Sequence, residues 1–212
     1  MNEIKIAVYG QGKMGLPLAS VFARYYNVIG YDINEELIDN LNRGINPIKD
    51  EPLLDDLLNE SLKSKKYNAT TDHLYASKNS NIHIILVPTL ITGNKPDMSI
   101  VKDVAVKIST GLKKGDIVIT ECTMPPGSTE SLIPILEKSG LKYGDFGLAH
   151  CPERTMTGTA VRDITGQYPK IIGANDRETL KILNEIYSKI NRKGLTFYCR
   201  LLVLSPLFLS AG

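Results

Sequence analysis

At 212 residues, with 42% hydrophobic and 23% charged residues, the chain is long enough for one large α/β domain, or one domain with an appendage, around a real core. A formal net charge of +2 is too small to argue for nucleic acid or an anionic membrane as partner, and no apolar run reaches the roughly 18 residues of a membrane span. Cys122, Cys151 and Cys199 show neither a disulfide framework nor zinc-ligand spacing, and suit a reducing cytoplasm.

Ile4, Ile6, Ala7 and Val8 form an apolar run of the kind that makes a buried parallel strand, so no signal peptide is expected ahead of it. Gly10, Gly12 and Gly15 follow at G-x-G-x-x-G spacing, and Leu16, Leu18, Ala19, Val21 and Phe22 recur at helical intervals. Such glycines allow a tight turn off the strand, close approach of a pyrophosphate, and close packing of the helix on the sheet. The helix N-terminus then presents free N–H groups and its positive dipole end to phosphate. Lys13 and Met14 belong to the same turn. A second apolar run, Val28 to Tyr31, ends in Asp32, about 20 residues past the glycines. A carboxylate there accepts both hydroxyls of an adenosine ribose and repels a 2′-phosphate. Ile33 and Asn34 offer no cation to receive one, so NAD is favoured over NADP. The bland alternative is a βαβ unit whose glycines serve packing alone.

Helices are expected at Glu35 to Asn42, at Leu53 to Leu62 with Glu51-Pro52 at its start, at Ile100 to Leu112, from about Thr129 to Leu136, and at Asp176 to Lys189. Strands are expected at Tyr67 to Thr70, Ile82 to Val87, Ile117 to Thr120, Phe146 to His150, Lys170 to Gly173 and from Thr196 onward. Asp72 reads as a helix cap, and Leu90 to Asp97 as a polar loop. Alternation of strands and helices requires a doubly wound parallel sheet with helices on both faces, a Rossmann-like α/β fold. Ligands of such sheets bind beyond the strand carboxyl ends. Gly10 to Gly15, Asp32, Pro88-Thr89, Thr123 to Pro126 and Pro152-Glu153 should therefore meet in one crevice.

GQGKMGLPLA (Gly10 to Ala19), VPTL (Val87 to Leu90), ECTMPPGSTE (Glu121 to Glu130) and HCPERTMTG (His150 to Gly158) together resemble the N-terminal NAD-binding domain of the UDP-glucose/GDP-mannose dehydrogenase family. The stretch from Pro47 to Leu54 looks like the family's segment after the second strand, and the likeness covers roughly Met1 to Lys193. In motif the chain is most similar to members acting on UDP-N-acetylhexosamines, as UDP-N-acetylmannosamine 6-dehydrogenases do. The resemblance implies an oxidoreductase of polysaccharide biosynthesis, taking a sugar C6 alcohol to a carboxylate by two hydride transfers to NAD, through thiohemiacetal and thioester stages on a cysteine. It implies cofactor contacts from Gly10, Gly12, Lys13, Met14, Gly15, Asp32, Ile33, Pro88, Thr89 and Thr123. It further implies that Thr123 positions water or the nicotinamide region and that Glu153 is the general base for thioester hydrolysis. Without the resemblance, Thr123 ends a strand and Glu153 pairs with Arg154 or Arg162.

Cys122 and Cys151 read as small buried residues, since the family's nucleophile belongs to a glycine-rich segment absent from this sequence. His150 beside Cys151 has no partner at metal-ligand spacing, so no metal is expected, and His73 and His83 read as structural or solvent-facing. The family continues into a lysine-bearing helix and a second nucleotide-sugar-binding domain. From about Gly194 this chain instead runs into LTFYCRLLVLSPLFLSAG, read as an atypical apolar tail over 194–212 after an NAD-binding domain over 1–193. Thr157, where this branch usually has proline, is a second departure. Three readings follow: a cytoplasmic dehydrogenase acting on a UDP-sugar and completed elsewhere, a catalytically silent NAD-binding module, or a remnant. A homo-oligomer is left open.

Overall fold

The computed structural model describes residues 3–93 and 95–193, together with the backbone of Phe197–Cys199. The first half of the chain carries strands β1 (Lys5–Tyr9), β2 (Asn27–Tyr31), β3 (Tyr67–Thr70) and β4 (Ile82–Ile85), then β5 (Leu90–Thr92) and β6 (Lys95–Asp97). Strands β7 (Ile117–Thr120), β8 (Gly147–His150), β9 (Ile171–Ala174) and β10 (Phe197–Cys199) follow. The helices are α1 (Gly15–Phe22), α2 (Glu35–Asn42), α3 (Leu54–Lys63) and α4 (His73–Lys78), then α5 (Ser99–Ser109), α6 (Ile133–Leu136), α7 (Ala160–Arg162) and α8 (Arg177–Ile190).

One eight-stranded sheet runs in the order β10-β9-β8-β7-β4-β1-β2-β3. Period-2 alternation along each strand divides the core. Ile6 and Val8 of β1 pack with Leu16, Phe22, Leu58 and Leu183 on one face, whereas Ala7 and Tyr9 pack with Val101, Ile108 and Leu136 on the other. Each fully buried Leu, Ile or Phe contributes about 1.5–3 kcal/mol of hydrophobic stabilisation. The sheet is thus doubly wound, with apolar helix faces on both sides.

Six strands, β3 to β8 across the sheet, are parallel as expected, but β9 pairs antiparallel with β8, and β10 is parallel to β9. A parallel return needs a crossover helix to carry the chain back along the sheet. Between β8 and β9 there is only α7 and one irregular turn over Asp163–Gln167, so the chain re-enters from the end it left. Leu90 to Asp97 also differs from expectation: it is an antiparallel hairpin, register Leu90↔Asp97 and Thr92↔Lys95, rather than a plain loop. The apolar stretch after Thr129 breaks into Glu130–Leu132, α6 and Glu137–Ser139, with Pro134 in the first turn of α6. Asp72 caps α4 by accepting the Tyr75 N–H at 2.9 Å. The apolar tail from Leu201 to Leu209 lies outside the described residues.

Candidate functional site

The turn after β1 is built by steric necessity. Gly10 has φ +101°, and a Cβ there would lie 2.2 Å from the Leu86 carbonyl oxygen; at Gly15 a Cβ would lie 1.9 Å from the Gly10 oxygen. At Gly12 a Cβ would meet nothing within 4 Å, so that backbone faces open space. The N-terminus of α1 has no side-chain cap and no acidic residue in its first turn, whereas α2, α4 and α8 are capped by Asn34, Asp72 and Asp176. An uncapped helix end over an open glycine is the cradle a phosphate requires.

Asp32 follows β2, its Oδ2 accepting the Gln11 N–H at 2.8 Å and its Oδ1 accepting the Asn34 N–H at 3.1 Å. Gln11 is fully buried: its amide donates to the Val8 and Gly10 carbonyls and accepts the Tyr67 hydroxyl at 2.8 Å. Gly30 makes room for this, since a Cβ there would lie within 2.6 Å of both Gln11 Oε1 and the Tyr67 hydroxyl. Burial raises the Tyr31 hydroxyl above its ordinary range, helped by the charges of Asp103, Asp32 and Asp72. This corner is anionic, which opposes a 2′-phosphate.

A cleft of about 760 Å³ opens at the strand carboxyl ends. Gly10, Gly12, Lys13, Met14 and Gly15 line it from the turn, and Asp32 and Ile33 from the end of β2. Pro88 and Thr89 line it after β4, Thr123 after β7 and Glu153 after β8. All eleven residues given a cofactor or catalytic role from the sequence therefore line one cavity; Gln11, Met124, Pro125, Pro126 and Pro152, which fall in the stretches expected to meet there, do not. Residues given no cofactor or catalytic role from the sequence line it too: Tyr31, Thr155, Glu121, and Ile100, Asp103, Val104 and Lys107 of α5. Lys107 is paired with Asp103. The helical period of α5 gave its core face but not which of its ends would overhang the cleft.

Glu153 Oε1 accepts the N–H groups of Arg154 at 2.7 Å and Thr155 at 2.9 Å, which fixes its carboxylate, and Oε2 lies 3.6 Å from Lys170 Nζ. It pairs with neither Arg154 nor Arg162: Arg154 donates to the Pro169 carbonyl and stacks on Tyr168, and Arg162 pairs with Asp163. Thr155 Oγ1 reaches Met14 Sδ at 2.9 Å, joining this loop to the glycine turn. Behind Glu153, Glu121 is fully buried, held by Lys170 Nζ at 2.6 Å and by the Tyr187 hydroxyl. Burial pushes the Glu121 carboxyl up to about 7, against the pull of the Lys170 charge.

Cys122 and Cys151 are buried free thiols, pushed up by burial, Cys122 to about 12. His150 is buried with Nδ1 against the Thr120 hydroxyl at 2.9 Å, and burial lowers it to about 4. His83 is enclosed between the Tyr9 hydroxyl and Asp116. Among the described residues no group of three or more His, Cys, Asp or Glu could hold a metal ion, and no helix is long and apolar enough to cross a membrane.

Comparison with known proteins agrees with this geometry. UDP-N-acetyl-D-mannosamine dehydrogenase of Pyrococcus horikoshii is 37% identical over 187 residues, 87% of this chain and 44% of that protein. UDP-N-acetyl-D-glucosamine 6-dehydrogenase of Salmonella typhi is 33% identical over 198 residues, 92% of this chain and 45% of that protein. The solved structure of the Pyrococcus horikoshii UDP-D-ManNAc dehydrogenase superposes with TM-score 0.89 at 35% identity, covering 95% of this chain and 48% of that one. A ternary complex of GDP-mannose dehydrogenase from Pseudomonas aeruginosa superposes with TM-score 0.88 at 29% identity, covering 95% and 47%. The chain thus spans about half the length of the relatives it matches. The model of the UDP-glucose/GDP-mannose dehydrogenase family's NAD binding domain matches residues 4–191, and with the glycine cradle, the Asp32 corner and the cleft between them in place, the chain belongs to that family.

Proposed function

We propose that residues 4–191 bind NAD in the cleft and act as the NAD-binding half of a nucleotide-sugar 6-dehydrogenase whose substrate is a UDP-N-acetylhexosamine. The observation that carries this reading is the sharing of one cavity by the Gly10–Gly15 turn, Asp32, Thr123 and Glu153. NAD, when bound, supplies the hydride acceptor. Gly12 and the first turn of α1 would seat its pyrophosphate, with Lys13 and Met14 beside them, and Asp32 would accept its ribose hydroxyls next to Ile33. Pro88 and Thr89, after β4, would form the wall adjoining the turn.

Glu153 would take a proton from attacking water. Its Oε1 is held by two backbone N–H groups, so Oε2, 3.6 Å from Lys170 Nζ, is the oxygen left to take that proton. Thr123, which both donates and accepts, would orient that water. Cys122 and Cys151 would not attack the sugar, because neither is held as a thiolate.

The test is NADH absorbance with the 212-residue chain, NAD and a panel of UDP-hexoses and UDP-N-acetylhexosamines, beside a binding titration. The expected result is NAD binding without NADH formation. NADH formation abolished by Cys122→Ser or Cys151→Ser would place the nucleophile in this chain and overturn the assignment of the two thiols.

A further inference from the structure

Lys170 Nζ stands between two carboxylates: 2.6 Å from Oε2 of Glu121, which is fully buried, and 3.6 Å from Oε2 of Glu153, which faces the cleft. We propose that Glu121 is a second acid–base group of this site, exchanging a proton with Glu153 through the ammonium of Lys170.

The surroundings of Glu121 leave it this route. Its Oε1 accepts the Tyr187 hydroxyl from α8, and its backbone carbonyl accepts the Glu153 N–H at 2.9 Å, which locks the strand ends together. Lys170 also lies over the Tyr187 ring, 5.0 Å from its centre. The titratable groups that interact with the carboxyl are Lys170, Tyr187, Glu153, Cys151 and Cys122, and the Lys170 charge also acts on His150. Two carboxylates share one half-buried cation, so the trio carries a net negative charge that one added proton removes. Burial places that proton on Glu121 near neutrality. The Tyr187 hydroxyl and the Cys151 thiol are both held well above their ordinary ranges, so neither supplies it.

The transfer balances. Lys170 first releases an ammonium proton to Glu121 Oε2, and the lone pair left on Nζ then takes the proton that Glu153 gained from water. The ammonium is regenerated and the acid has moved inward: one N–H and one O–H bond break with their electron pairs left on nitrogen and oxygen, one of each forms, and no oxidation state changes. Glu153 is thereby restored as a carboxylate. The catalytic use of this relay rests on the reading of Glu153 as general base given above; the coupled titration does not.

Infrared spectroscopy of the chain across pH tests the relay without cofactor or turnover. A protonated-carboxyl band should grow as the pH falls through about 7 and be lost in Glu121→Gln. Glu153→Gln should move its midpoint down by about one unit, because a like charge is removed. Tyr187→Phe should move it up, because the ionised form loses a donor, and this conservative change keeps the ring in the core. Absence of the band near neutrality in the unaltered chain, or a midpoint indifferent to Glu153→Gln, would overturn the proposal. If NAD fails to bind yet the coupled titration persists, the cofactor reading falls and the relay stands.

Discussion

The carboxylate of Glu51 accepts the backbone N–H groups of Ala160 and Val161, each at 2.9 Å, although more than one hundred residues separate them. Glu51 is buried, so it both caps the first turn of α7 and ties the segment after β2 to the loop that carries Glu153. Glu51→Gln turns one acceptor into a donor facing an N–H. It should cost about 3 kcal/mol, the scale of a lost charge-assisted hydrogen bond with a buried donor left unpaired. Urea unfolding measures this directly; a change under about 0.5 kcal/mol, the scale of a neutral surface substitution, would refute it.

The glycine turn separates packing from binding. Gly15→Ala puts a Cβ 1.9 Å from a backbone oxygen, so the helix must shift, and stability should fall by about 3 kcal/mol or more. Gly12→Ala meets nothing within 4 Å and should leave the melting temperature nearly unchanged, while its methyl fills the phosphate seat and weakens NAD at least about tenfold. Thermal melts and NAD titrations of the two variants check the contrast.

Burial raises Glu121 from 4.5 to about 7, so the folded state binds more protons than the unfolded state between those values. By linkage, that contribution to stability is fully present below about 4.5 and is lost as the pH rises through about 7. His150 acts oppositely: lowered from 6.5 to about 4, it contributes stability above about 6.5 that is lost as the pH falls through about 4. In the unaltered chain the two slopes oppose one another between about 4.5 and 6.5. The stability difference between the unaltered chain and Glu121→Gln should therefore grow as the pH falls from about 7 to about 4.5. Denaturant titrations across that range would show a flat difference if Glu121 were ionised throughout.

The strand–glycine–helix–strand–acid order made β1, α1, β2 and the Asp32 corner legible, because each step is local and periodic. The cleft was legible for a topological reason, as Thr89, Thr123 and Glu153 all follow strands of the parallel part of the sheet. What the sequence hid depends on contacts between distant segments. Glu51 read as part of a helix start, yet α3 begins at Leu54 after Leu53 at φ +69°, and Glu51 serves α7 instead. Glu121 and Lys170 are single charges on different strand ends, and only antiparallel β9 brings them together. That reversal, in turn, follows from a missing crossover helix, which alternation alone does not reveal.

The central claim is that the cleft holds NAD with its ribose on Asp32. Calorimetric titration of the chain with NAD and NADP tests it most directly. NAD should bind at one site per chain and NADP at least about tenfold more weakly, since a hydrogen bond to a charged acceptor contributes about 1.5–3 kcal/mol. Asp32→Ala should weaken NAD and bring the two cofactors together. Equal affinity of the unaltered chain for both, or no heat with either, would contradict the account.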